Sequence, residues 1–164
     1  MENKIRKLHN VAYFAGALAY GAEKNLGQGV LSICFLAGKK FGLEAVDNVE
    51  QTDDPVKALA ILNKALVKRG IIWEFEPFPG ERETLVEQDG GTRKVRLVFH
   101  TCLVRNALFR FAHEQKQSLC QMAHGVFAGA MEKVIPNVTV KLETIQAGPN
   151  SCLKEMIWEA KNEG

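Results

Sequence analysis

The spacing of apolar residues changes period several times along the chain, and each change marks an element. Val11, Phe14, Ala15 and Leu18 recur at helical spacing, which predicts a helix over 9–25. Ala12, Gly16 and Ala19 add a small-residue stripe that lets a neighbour come close. Gly27-Gln28-Gly29 ends it, since glycine costs about 1 kcal/mol against alanine inside a helix. Val30, Leu31, Cys34, Phe35 and Leu36 predict a second helix over 30–46, buried across much of its first half, with Cys34 in the core. A third helix follows from Val56, Leu59, Ala60, Leu66 and Val67. Asp53 or Asp54 caps its start, Pro55 suits the first turn, and Lys68-Arg69-Gly70 suits its end.

At Gly70 the period becomes two. Ile71, Trp73 and Phe75 alternate with Glu74 and Glu76, and Pro77 with Pro79-Gly80 closes this strand. A strand over 82–88 turns at Asp89-Gly90-Gly91 into another over 93–100. In the latter Val95, Leu97 and Phe99 face one way and Arg96, Val98 and His100 the other, with Arg96 in reach of Glu74 or Glu76. Helical spacing returns over 103–134, with a break near Lys116. Leu119, Met122, Ala123, Val126, Phe127, Ala130 and Met131 form its core stripe, and Gly125 and Gly129 mark close packing on another face. Pro136-Asn137 ends it. Val138, Val140 and Leu142 alternate with Thr139, Lys141 and Glu143, and a last strand runs from Cys152 to Trp158. These two strands form an antiparallel hairpin that sets Glu143 near Cys152.

Composition narrows the class without naming a chemistry. The chain has 164 residues, 46% hydrophobic and 24% charged, which suits a single globular domain over 1–164. A net charge of +2 with scattered basic residues points to neither nucleic acid nor an anionic membrane. No signal-peptide pattern and no long apolar run is present, so the expected location is cytoplasmic, with no membrane span. There Cys34, Cys102, Cys120 and Cys152 stay reduced and are candidates for burial or ligation.

Two groups of residues carry candidate chemistry. Cys120 and His124 lie one helical turn apart, and the hairpin that follows brings Glu143 and Cys152. His100 and Cys102, at the end of a strand, are able to join Cys120, but no third residue can be named to orient a Cys–His nucleophile. No catalytic residue is therefore assigned, and the residues point to binding rather than to an enzyme. The second group is aromatic: Phe14, Phe35, Trp73, Phe75, Phe99, Phe109, Phe111 and Phe127. Trp73, Phe99, His100 and Phe127 are the expected pocket residues, Trp73 and His100 adding polar tips to an apolar wall.

Leu26-Gly27-Gln28-Gly29-Val30 through Phe41-Gly42, the helix with Cys120 and His124-Gly125-x-x-x-Gly129, the strand with Glu143, and Gly148-Pro149-Asn150-Ser151-Cys152 together resemble the 4-vinyl reductase-like, or hydrocarbon-binding, domain. Its fold is shared with subunits of the TRAPP vesicle-tethering complex. The resemblance implies an α/β (α+β) domain with helices packed on one twisted antiparallel sheet, a homodimer, and a pocket for a small apolar molecule. Phenol-sensing transcription regulators carrying this domain hold zinc with cysteine, glutamate, cysteine and cysteine. Placed here, the resemblance implies zinc as cofactor on Cys120, Glu143 and Cys152, with Gln146 at the third cysteine position and His124 as a fourth ligand from helical spacing. A glutamine amide is a poor zinc ligand beside a thiolate. The reading that results is a hydrophobic-ligand sensor, with a tetrapyrrole reductase accessory or a TRAPP-like dimeric scaffold as alternatives. The glycines offer no nucleotide fingerprint, because Gly27-x-Gly29 follows no strand.

Overall fold

The structure is a computed structural model that describes residues 2–80, 84–102, 104–105 and 117–161, with the side chains of the first helix described from residue 10 onward. It is an α+β fold in which four helices pack on a five-stranded antiparallel sheet. The helices are α1 (Glu2–Leu26), α2 (Gly29–Ala45), α3 (Pro55–Lys68) and α4 (Ser118–Val134). The strands are β1 (Phe75–Pro77), β2 (Val86–Asp89), β3 (Thr92–Phe99), β4 (Val138–Ala147) and β5 (Cys152–Ala160). The sheet order is β1-β3-β5-β4, and β2 pairs with the other half of β3. No helix among the described residues is long and apolar enough to cross a membrane.

Local signals account for several of these elements. Asp54 accepts from the backbone N–H groups of Val56 (2.8 Å) and Lys57 (3.2 Å), satisfying two donors that the start of α3 would otherwise leave unpaired. Gly70 leaves that helix at a φ of 76°, in the left-handed region where a side chain is strained. β2 and β3 join through Gly90 at a φ of 60°, as the Asp-Gly-Gly sequence predicts. Val95, Leu97 and Phe99 point into the core, and so do Cys152, Lys154, Met156 and Trp158 of β5.

The helices are arranged by a contact that only glycine permits. Gly38 and Gly42 of α2 lie against the backbone of Met122 and Val126, and Gly125 and Gly129 of α4 lie against that of Phe35 and Lys39. A Cβ at any of the four would fall well inside van der Waals contact with a carbonyl oxygen. With α2 seated this closely on one side and the sheet on the other, α4 is buried continuously from Ala123 to Met131. Phe127 and Met131 have no exposed surface.

Four expectations need correction. The second helix is not buried over its first half: Ile33 and Leu36 are exposed and Cys34 is half-buried, because α2 touches the core through its glycine face and turns its large side chains outward. Arg96 approaches Glu155 (3.6 Å) on the neighbouring strand rather than Glu74 or Glu76. The strand at 71–76 joins the ladder only from Phe75, although Trp73 and Phe75 keep the predicted inward face. In the hairpin Cys152 pairs with Ala147 and Glu143 with Glu155, with an irregularity between Thr144 and Gln146. The glutamate and the cysteine are therefore several residues apart along the ladder. Of the helical region predicted over 103–134, residues 103 and 106–116 lie outside the described residues.

Gly129→Val is expected to destabilise the protein by about 1–3 kcal/mol or to prevent folding, because the opposing atoms are backbone and cannot step aside. Gly21→Ala, where an added Cβ meets nothing within 4 Å, is expected to stabilise α1 by about 0.5–1 kcal/mol. Denaturant unfolding followed by circular dichroism measures both.

Candidate functional site

Two clusters meet on the inner face of the sheet under α4. The first is aromatic. Trp73, Phe75, Phe99 and Phe127 are buried together, with ring centroids 5.2–6.5 Å apart and mostly edge-to-face. Such pairs add about 0.5–1.5 kcal/mol each beyond the area they bury. Trp73 is 1% exposed, yet its indole N–H has no hydrogen-bond partner among the described residues. Three of the four expected pocket residues, Trp73, Phe99 and Phe127, pack in one cluster. His100 does not: it follows the end of β3, exposed, with its Nε2 2.9 Å from Glu76. Phe14 is exposed, Phe35 lies at the margin of the core, and Phe109 and Phe111 fall outside the described residues.

The second cluster is polar and lies beside the first. Lys154 projects inward from β5 and is 2% exposed. Its Nζ lies 2.7 Å from Nε2 of His124 on α4 and 3.1 Å from the Thr144 hydroxyl on β4, and it stands 5.5 Å over the Phe99 ring. Thr144 is also 3.1 Å from His124 Nε2, so the three side chains close a triangle. Among the described residues Lys154 has no carboxylate partner. Burial lowers its pKa; Cys120, Cys102 and Cys152 oppose that shift and Arg105 adds to it. Burial, and then the charge of Lys154, pushes His124 down to about 3, so its imidazole is neutral. A neutral ring that accepts from the Lys154 amine at Nε2 carries its own proton on Nδ1.

Arg105 closes the end of this cluster. It donates to the carbonyls of His100 (2.6 Å), Asn150 (2.6 Å) and Phe99 (3.1 Å), and approaches the sulfur of Cys152 at 3.6 Å. Those carbonyls belong to the ends of β3 and the β4–β5 loop. One guanidinium therefore holds the rim of the sheet where both clusters end.

Of the four residues considered as metal ligands, three are buried and one is exposed. Cys120, His124 and Cys152 are buried in the vicinity of Lys154. Glu143 stands on the opposite face of β4, exposed and ion-paired with Lys141, and Gln146 is exposed too. No group of three or more histidine, cysteine, aspartate or glutamate side chains is close enough to hold a metal ion among the described residues. The imidazole nitrogen that a metal would use is the one facing Lys154. As arranged, these residues do not fit a zinc ion.

Lys154 and Arg105 were not anticipated from the sequence. For Lys154 the signal was present: Cys152-x-Lys154-x-Met156-x-Trp158 alternates, and three of the four are typical core residues, so the lysine shares their face. Arg105 follows the last residue of a strand by six positions, and no pattern marks it.

His124 supplies a pH test whose sign is fixed by its neutral folded state. Its folded pKa, about 3, lies below the ordinary value of 6.5, so the stabilisation is present above 6.5 and is lost as pH falls toward 3. The unfolding midpoint of the wild type is expected to drop across that window, and the drop is expected to be shallower in His124→Asn, which keeps an acceptor for Lys154 but does not titrate. Denaturant titrations at stepped pH measure the difference.

No protein-family model matches this chain, and no curated protein matches it. Among solved structures the fold is similar to the crystal structure of the phenol-responsive sensory domain of the transcription activator PoxR with phenol. The TM-score is 0.63 at 12% identity, over 90% of this chain and 74% of that one. At that identity the likeness is one of fold.

Proposed function

We propose that the protein is a sensor module that binds a small hydrophobic molecule, an aromatic one carrying an oxygen acceptor, at the Trp73–Phe75–Phe99–Phe127 cluster. The observation that carries this is the indole N–H of Trp73, buried among apolar rings without an acceptor among the described residues. A buried unpaired donor costs about 1–3 kcal/mol, and a ligand oxygen placed there recovers it. Aromatic faces on several sides supply the apolar contact, so one polar atom and one ring describe the guest. The fold neighbour was solved with phenol, which supports a guest of that size and kind. The reading belongs with the 4-vinyl reductase-like resemblance, and it needs no metal.

The proposal includes a homodimer formed through α1 and α2. Phe14 (70% exposed), Val11 (66%), Leu18 (63%) and Leu36 (63%) are the most open of a series of large apolar residues on these two helices, which also includes Tyr13 and Ile33. Exposed large apolar residues in this number on two adjacent helices support an interaction face. A second copy meeting it would bury the α1–α2 layer and leave the sheet face of α4 unchanged.

Phenol is the probe for the pocket. Titration followed by tryptophan fluorescence and calorimetry is expected to saturate for the wild type. Trp73→Phe, which keeps a ring and removes the donor, is expected to weaken binding about tenfold, equivalent to ~1.4 kcal/mol. His100→Ala is expected to bind as the wild type does. Absence of saturable binding, or an unchanged Trp73→Phe affinity, would sink the reading. Light scattering on a sizing column is expected to give a dimer that Phe14→Glu with Leu18→Glu converts to monomer.

A further inference from the structure

We propose that Lys154 stands in for a metal ion: its ε-ammonium is the fixed cation that ties α4 to the β4–β5 hairpin. The groups around it are of the kinds a metal would recruit. An imidazole nitrogen (His124 Nε2) lies at 2.7 Å and a hydroxyl (Thr144) at 3.1 Å, and they come from two different elements. Cys120 and Cys152 are buried on α4 and β5. An ammonium directs three N–H donors tetrahedrally, so it bridges acceptors from separate elements much as a tetrahedral ion does. It does so with one positive charge and without the carboxylate that a divalent site would need.

The surroundings favour this occupant over a metal. A dication bound to His124 Nε2 would have to displace Nζ from hydrogen-bond distance, and the flexible stem of Lys154 is packed in the core at 2% exposure. The sulfur of Cys152 already faces a second fixed cation, the Arg105 guanidinium at 3.6 Å. Two positive side chains thus stand where a dication would approach. The acidic residue able to offset them, Glu143, lies across the sheet with Lys141. The π face of Phe99, 5.5 Å from Nζ, gives the ammonium a further favourable contact. The assignment does not depend on which molecule the aromatic cluster receives.

The test uses the full chain purified without added metal. Elemental analysis is expected to find well under one zinc per chain, and a strong chelator is expected to leave the melting temperature unchanged. Long-range proton–nitrogen NMR is expected to show His124 protonated at Nδ1, with Nε2 accepting. Lys154→Met, matched in length but uncharged, is expected to lower the melting temperature by several degrees. Near-stoichiometric zinc whose removal lowers the melting temperature would overturn the proposal, as would a proton or a metal on His124 Nε2. Lys154→Met as stable as the wild type would also overturn it. If that variant fails to fold, the wild-type metal content and the His124 tautomer still decide. Phenol binding is scored separately, so neither result stands for the other.

Discussion

The rest of the structure depends on two helices meeting backbone to backbone. Gly38 and Gly42 on one side and Gly125 and Gly129 on the other remove the side chains that would hold α2 and α4 apart. Because α2 sits so close, α4 is walled in on both sides, and residues that helical spacing places at the border of its apolar stripe become interior. His124 is the clearest case at 3% exposure. Its burial keeps it neutral, and a neutral imidazole is what lets a lysine be buried opposite it without a carboxylate. The close contact also decides what is left outside. A helix that docks through glycines has its bulky residues on the other sides, which is why α2 is apolar and yet largely exposed.

The polar and aromatic clusters are not separate features. Phe99 belongs to both, with its edge and face against Trp73, Phe75 and Phe127 and its π surface below Lys154. Arg105 binds the carbonyl of that same residue and the loop beyond β4. A guest that shifts the rings therefore acts directly on the ammonium and on the hairpin it holds. The interior is tuned by few groups, each satisfied by partners on a different element.

Much of the fold was legible because its signals are local. The Asp54-Pro55 helix start, the Asp-Gly-Gly turn, the alternation in β3 and the close packing at Gly125 and Gly129 each follow from a few adjacent residues, and each is found. What was not legible depends on pairing between distant segments. The partner of Arg96 is set by β5 lying next to β3, which no local pattern states. The depth of α2 depends on which of its faces docks, and its apolar content alone suggests the opposite answer. The inward faces of Trp73, Phe99 and Phe127 follow from alternation and helical spacing. His100 stands just past the end of β3, where alternation still points it outward.

The edge of the sheet holds one more constraint. Glu132, near the end of α4 with a side chain only 4% exposed, accepts from the backbone N–H of Val140 (3.0 Å) on the free edge of β4 and pairs with Lys39 at 2.8 Å. That single bond works as an index pin for the strand. Were β4 to slide by one residue, every side chain on it would change faces. Glu143 would turn toward Lys154 and Thr144 would turn to solvent. A nearly enclosed carboxylate on a neighbouring helix, itself outside both clusters, thus selects a hydroxyl over an acid as the lysine's companion.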